Sequence, residues 1–147
     1  MSDATTILLI DNDPQYRDYY AYRLLASSTH YNVVIAATGQ SGLQICARQP
    51  VSCVVLEIDL PDMSGFEVLA KLVPRAYRPE IAVIVLTRLS SDLLLDLAIR
   101  NGAQTAYFKT ITSGDILDKI ILKAVSTVQR LNRLVSEVNS PVLQTAR

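Results

Sequence analysis

The sequence predicts an α/β fold in which a five-stranded parallel sheet is doubly wound, with helices on both faces. The run VSCVVLEI, which begins at Val51, holds six apolar residues without alternation, as is typical of a strand buried on both faces of a parallel sheet. Strand-like and helix-like patterns also alternate along the chain in units of about 25 residues, five of each. Right-handed crossovers between such units favour the strand order 2-1-3-4-5.

Length and composition limit the possible functions. The 147 residues fit one domain with some length left for a tail. Fourteen basic residues balance fourteen acidic ones, so no net field favours DNA or an anionic membrane. No apolar run approaches the ~20 residues that a bilayer requires, and the N-terminus lacks a signal-peptide pattern. We therefore expect a cytoplasmic protein with neither nucleic acid nor a membrane as partner. In such a protein Cys46 and Cys53 should be reduced thiols in the core.

The boundaries of the elements follow from apolar periodicity and from helix-capping residues. Asp13 before Pro14 is a typical helix start, and the spacing of Ser64 and Glu67 fits a capping box. The first helix carries several tyrosines, whose hydroxyls we expect to reach water. The predicted strands are residues 6–10, 31–37, a buried run from 51, 81–86 and 105–108. The predicted helices are residues 14–27, 42–49 and 65–73, one from Ser91 to Gly102, and one from about 113.

The last helix is longer than the domain requires. Its apolar residues recur at alternating spacings of four and three, which is the pattern of an a/d seam. We predict a domain at 1–127 and a helical extension with a linker at 128–147, whose seam packs on another helix, in a homodimer or against a neighbouring domain. A fraying amphipathic tail is the alternative. The seam consists of Leu117, Ile121, Ala124, Val128, Leu131, Val135 and Val138.

Residues with reactive chemistry follow four of the predicted strands. In open α/β sheets the ligand site lies beyond the carboxyl ends of the strands, so these side chains should converge. Acids, a hydroxyl and one ammonium could together hold a divalent cation and a phosphoryl group. The set is Asp11, Asn12 and Asp13 after strand one, Glu57 and Asp59 after strand three, Thr87 at the end of strand four and Lys109 after strand five.

The segments ILLIDNDP, LEIDLPDMSGFEVL, VLT and GAQTAYFK resemble the receiver domains of two-component response regulators, over residues 6–128. The resemblance implies a flavodoxin-like fold, an aspartate that accepts phosphate from a histidine kinase, and a Thr and a Lys that contact the phosphoryl group. Thr87 and Lys109 match those last two positions. Asp11 and Asn12 occupy the Mg²⁺-binding acidic pair, and Asp59 lies where the family supplies a metal-binding carbonyl.

Four positions depart from that pattern. The phosphoacceptor position holds Glu57, whose extra methylene displaces the nucleophile, and such misplacement can cost ~10²-fold in rate. Asn12 removes a charge from the metal site, Arg88 follows Thr87 where a small residue is usual, and Ala106 replaces the aromatic switch residue. We therefore expect an atypical receiver that is not an enzyme, does not accept phosphate at Glu57, needs no cofactor and binds Mg²⁺ weakly if at all.

Two alternatives stay open at this point. One is a working receiver that accepts phosphate on Asp59 or tolerates Glu57. The other is a phosphatase similar to haloacid dehalogenases, in which Asp11 and Asp13 form a DxD nucleophile motif.

The expected partner is a protein: a histidine kinase, a hybrid kinase or an output domain. The helix after strand four carries too many leucines for one buried stripe, so at least one should face outward. We place the interface at Leu94 and Leu95 together with the seam from Val128 onward. A wide buried stripe is the alternative.

Overall fold

A computed structural model describes residues 4–138 of the chain, and its sheet confirms the predicted strand order. Five parallel strands are arranged as β2-β1-β3-β4-β5. The strands are β1 (Thr5–Ile10), β2 (Tyr31–Ala36), β3 (Cys53–Leu56), β4 (Ala82–Thr87) and β5 (Thr105–Phe108). The helices are α1 (Pro14–Ser27), α2 (Gly39–Arg48), α3 (Gly65–Leu72), α4 (Asp92–Arg100) and α5 (Gly114–Val138), with a 3₁₀ turn at Lys109–Ile111.

Side chains alternate along each strand, so the sheet separates two apolar layers. On one face Ile7 and Leu9 of β1 lie in a cluster with residues of α1 and α5. On the other face Leu8 and Ile10 join a cluster with residues of α3 and α4. Burial on both faces explains why the central strands are continuously apolar.

The strand register brings the reactive residues to one edge. Ile10 pairs with Leu56, Leu56 with Val85, and Thr87 with Phe108. Residues that follow β1, β3 and β5 therefore emerge side by side at the carboxyl ends of the strands, as predicted.

Helix α2 begins at Gly39, three residues earlier than predicted. The segment interpreted as a turn, residues 38–41, is its cap and first turn: Thr38 and Ser41 form a reciprocal capping box. In addition, the Asp62 carboxylate accepts the N–H groups of Gly39 and Gln40, both at 2.9 Å. These donors would otherwise lack partners at a helix start, and Asp62 is too distant in sequence for local patterns to reveal it.

The ends of α3 and α4 were also predicted from local sequence patterns. Ser64 caps α3, but its hydroxyl accepts the Phe66 N–H at 3.1 Å instead of forming the predicted capping box with Glu67. Gly102 follows α4 with φ +111°, a conformation that favours glycine. Gly65 permits close approach, since a Cβ there would lie 2.5 Å from the Glu57 carbonyl oxygen.

Helix α5 is unbroken across the predicted boundary at residue 128. Val128 is 4% exposed and belongs to the core cluster beneath α5, so its assignment to a free interface was wrong. Leu131, Leu134 and Val138 are exposed beyond it. Residues 139–147, part of the predicted linker, lie outside the described residues. Within residues 4–138, no helix combines the length and apolar character needed to cross a bilayer.

Candidate functional site

The site is centred on Glu57, directly after β3. Its side chain is 1% exposed, and each carboxylate oxygen has two partners. Oε1 accepts the Thr87 hydroxyl at 2.5 Å and the Asp59 N–H at 3.0 Å. Oε2 accepts the Arg88 N–H at 3.1 Å and lies 2.7 Å from Lys109 Nζ. A buried carboxylate requires such compensation for its lost hydration, so the four contacts hold it in one position.

Lys109 supplies the positive charge of the site. Its Nζ lies 2.6 Å from Asp11 Oδ2 as well as 2.7 Å from Glu57 Oε2, and all three side chains are at least nine-tenths buried. The ammonium also lies 4.6 Å from the centroid of the Tyr16 ring, a distance at which cation–π attraction operates. One ammonium therefore bridges two carboxylates above an aromatic face.

Asp11 and Asn12 differ in burial. Asp11 is buried, with Oδ1 accepting the Asp13 N–H at 2.9 Å. Burial raises the pKa of the Asp11 carboxyl, and the adjacent Lys109 ammonium opposes that rise. Asn12 is exposed. The acidic-pair positions thus supply one inward carboxylate.

Asp59 lies beside the site and pairs with Arg88 instead of Lys109. The Arg88 guanidinium contacts Asp59 Oδ2, and both side chains are well exposed. Since the N–H groups of the same two residues bind Glu57, their ion pair completes a ring of contacts that includes its carboxylate. We call this exposed pair the Arg88–Asp59 clasp.

Thr87 links the site to the segment after β4. While its hydroxyl donates to Glu57, it accepts the Leu89 N–H at 3.1 Å. Ala106, at the switch position, is buried in the core cluster of α3 and α4. The adjacent Tyr107 packs against the opposite core layer.

Sequence reasoning missed the roles of the tyrosines in α1. Tyr16 packs against Lys109, Tyr20 donates its hydroxyl to the Thr112 carbonyl at 2.7 Å, and the Tyr19 hydroxyl accepts the Gly114 N–H at 3.0 Å. The last two hydroxyls bind backbone before α5 and at its first residue, where we had expected contact with water. The four-residue spacing of Tyr16 and Tyr20 was the available signal, because it places both rings on one helix face.

The predicted interface residues of α4 are not those most available. Leu94 and Leu95 are half-buried against the core, whereas Leu93 is 66% exposed. At least one leucine therefore faces outward as expected, and it is Leu93.

These residues do not fit a magnesium ion in this arrangement. Mg²⁺ requires octahedral oxygen ligands at about 2.0–2.1 Å. The Asp11 and Glu57 carboxylates instead share the Lys109 ammonium, Asp59 pairs with Arg88, and Asn12 is exposed. Lys109 thus already provides a cation to both buried carboxylates.

Comparisons with known proteins agree with this fold. Residues 7–121 match the family model described as response regulator receiver domain. A response regulator receiver domain (CheY-like) from Methanospirillum hungatei is 28% identical with a TM-score of 0.75, covering 87% of this chain and 98% of that one. The receiver domain of a putative Luxo repressor from Vibrio parahaemolyticus is 25% identical with a TM-score of 0.76, covering 90% and 97%.

Longer relatives contain further segments. A probable cyclic di-GMP phosphodiesterase of Vibrio cholerae is 32% identical over 73% of this chain but only 24% of its own length. The transcriptional regulatory protein KdpE of Mycobacterium tuberculosis is 30% identical over 96% of this chain and 58% of its length. The chain thus spans about a quarter to just over half of these relatives.

Proposed function

The chain belongs to the response regulator receiver domain family, and from that premise we propose that it is a docking module which does not take phosphate at Glu57. The observation that carries this proposal is the saturation of the Glu57 carboxylate. Thr87, Lys109 and two backbone N–H groups already occupy it. An attacking oxygen must present a free lone pair to the phosphorus atom, so this geometry opposes transfer.

Glu57 also supports a more specific proposal: it imitates the phosphorylated state. In the family that this chain resembles, the Thr and Lys contact a phosphoryl group carried by an aspartate. Here the carboxylate itself reaches the Thr87 hydroxyl at 2.5 Å and Lys109 Nζ at 2.7 Å. The contacts that would otherwise need phosphate are thereby made within the unmodified chain. We infer one fixed conformation that a protein partner recognises without phosphorylation or Mg²⁺.

The nature of the partner follows from the family at a coarse level. Receiver domains act with histidine kinases and output domains, and the two longer relatives named above are a transcriptional regulatory protein and a probable phosphodiesterase. We propose that this chain binds such a kinase, hybrid kinase or output domain in the cytoplasm and catalyses no reaction itself. The balanced charge of the chain favours a protein over nucleic acid as its direct partner.

The test is incubation with Mg²⁺ and a small-molecule phosphodonor such as acetyl phosphate, read by intact mass and by lability of the adduct in alkali. We expect no phosphoryl adduct on the parent. Glu57→Asp shortens the side chain by one methylene and frees it from part of its contacts, so this variant should gain an adduct. Asp59→Asn serves as the matched control and should behave as the parent does.

Two results would contradict the proposal. A stoichiometric adduct on the parent that Asp59→Asn abolishes would assign acceptance to Asp59. An adduct on the parent that survives Asp59→Asn and disappears in Glu57→Gln would make Glu57 itself an acceptor.

The proposal that Glu57 imitates the phosphorylated state is tested separately by hydrogen exchange. Glu57→Gln should reduce protection at the Arg88 and Leu89 amides, and unchanged protection would mean that Glu57 is inert.

A further inference from the structure

A small cavity lies between the carboxyl edge of the sheet and α1. Its volume is about 10 Å³, close to the roughly 10–15 Å³ that one water molecule needs. Part of its lining is apolar and belongs to the core cluster with residues of α1 and α5, and the rest is polar. The apolar residues include Leu9, Val55 and Leu86, and the polar residues are Asp11, Arg17, Tyr20 and Glu57.

The buried charges beside this cavity do not balance. Asp11 and Glu57 each bring a carboxylate, whereas Lys109 brings the one ammonium that contacts both. When both acids are ionised, the three side chains therefore carry one excess negative charge. Removing such a charge from water is costly unless a cation or a hydrogen-bond donor compensates it. A second cation close to the cluster would provide this compensation.

Arg17 is well placed to be that second cation. Its Nη1 donates to the backbone carbonyl oxygen of Asp11 at 3.1 Å, which holds the guanidinium beside the end of β1. Its Nε is buried and has no hydrogen-bond partner among the protein atoms of residues 4–138. Within the same range Arg17 forms no salt bridge. Its side chain nevertheless borders the same small cavity as the two buried carboxylates.

The Asp11 carboxylate has capacity for a further donor, unlike that of Glu57. Its Oδ1 accepts the Asp13 N–H, and its Oδ2 contacts Lys109 Nζ. An ionised carboxylate offers about four acceptor positions, so Asp11 can accept one or two more hydrogen bonds. The cavity thus brings together an N–H without a partner and a carboxylate that can still accept.

We propose that this cavity binds one water molecule that joins Arg17 Nε to the Asp11 carboxylate, and that Arg17 is a positioning residue of the buried charge cluster. The water accepts the Nε–H and donates to a carboxylate oxygen. Two such hydrogen bonds span about 5.5 Å, a distance at which the guanidinium charge acts strongly where bulk water is excluded. Two cations then balance two carboxylates. This role does not depend on whether Glu57 takes phosphate.

The first test is a double-mutant cycle on the 147-residue chain, read by urea unfolding at neutral pH. Arg17→Met should lower the folding equilibrium constant about tenfold or more, because the excess negative charge loses its cation. In the Asp11→Asn background the remaining charges already balance, so the same substitution should cost at least about fivefold less. The Asp11 carbonyl that Arg17 binds is a backbone group present in both backgrounds, so the difference reports the side-chain charge.

Arg23→Met is the matched control for this cycle. Arg23 lies on the same helix, but its guanidinium pairs with Asp115 at the surface. Its effect should agree within about twofold in the two backgrounds. Equal losses for Arg17→Met in both backgrounds, or a coupling to Asp11 as large for Arg23 as for Arg17, would overturn the proposal.

A crystal structure of the parent chain, grown without divalent cations, tests the water directly and requires no variant. We expect density for one water molecule within about 2.6–3.2 Å of both Arg17 Nε and an Asp11 carboxylate oxygen. A dry cavity, or an Arg17 guanidinium turned toward bulk solvent, would overturn the proposal. Neither experiment measures phosphoryl transfer, so failure of this proposal and failure of the one for Glu57 are distinguishable.

Discussion

At the carboxyl edge of the sheet, Glu57, Lys109 and Asp11 are buried charges whose partners all lie within the chain. At the far end of α5, Leu131 and Val138 are apolar side chains left in water. In the first region the charged groups are paired with one another. In the second region, apolar side chains remain in contact with water. The difference separates a cluster of charges that are paired within the chain from an apolar surface that still faces water.

The largest effect should come from removing the cation of the buried cluster. Lys109→Met leaves the Asp11 and Glu57 carboxylates buried without it, and breaking such a pair typically costs 3–5 kcal/mol, so we expect a loss of about that size. Urea unfolding measures it, with the exposed Lys123→Met as control, expected within about 0.5 kcal/mol of the parent. A loss below about 1 kcal/mol would mean that the cluster does not hold the fold together.

The second prediction locates the border between the two regions on α5. Val128→Ala removes methyl groups from the core and should lower the free energy of unfolding by about 1–3 kcal/mol. Leu131→Ala, one turn further along, should cost less than about 1 kcal/mol because its side chain is already 40% exposed. Equal losses in chemical denaturation would show that the core continues past Val128.

A smaller effect is expected at the Arg88–Asp59 clasp. Exposed ion pairs contribute about 0–1 kcal/mol, so Arg88→Ala should leave the free energy of unfolding nearly unchanged. In the Glu57→Asp background, however, Arg88→Ala should increase the rate of phosphorylation by a small donor, because the clasp joins the two segments whose N–H groups bind the carboxylate at position 57. Adduct formation over time, compared with Arg100→Ala in the same background, measures this. A slower rate would instead make Arg88 a binding group for the donor.

The last prediction concerns the pH dependence of the cap on α2. Hydrogen bonds from the Gln40 and Gly39 N–H groups lower the pKa of Asp62 below its ordinary value of 3.8. The folded state thus binds the proton less readily than the unfolded state, so this stabilisation is present above pH 3.8 and is lost as the pH falls through the lowered pKa. The stability difference between the parent and Asp62→Ala should therefore be larger at pH 7 than at pH 2.5. Thermal unfolding of both proteins, with Asp18→Ala as control, tests this, and a difference that is constant with pH would contradict it.

Much of the candidate site could be read from the order of residues, because strand ends can be located in a sequence. Glu57, Thr87 and Lys109 each follow or end a strand, and parallel strands share a carboxyl edge. The contacts of Tyr16 with Lys109 and of Asp62 with α2 could not be read, since each joins residues from different elements. The same limit applies to α4, where helix periodicity predicts an outward leucine but the rotation of the helix decides that it is Leu93.

By itself, the sequence determined the strand order, the edge at which the reactive side chains meet and the presence of a glutamate where the resemblance predicts the phosphoacceptor. These follow from local apolar patterns and from chain connectivity, which act over a few residues or through general rules of handedness. Only the tertiary structure decided which groups contact the Glu57 carboxylate and that Val128 is core while Leu131 is surface. Both depend on which atoms from distant segments lie within a few ångströms, and such distances are set when the layers pack together.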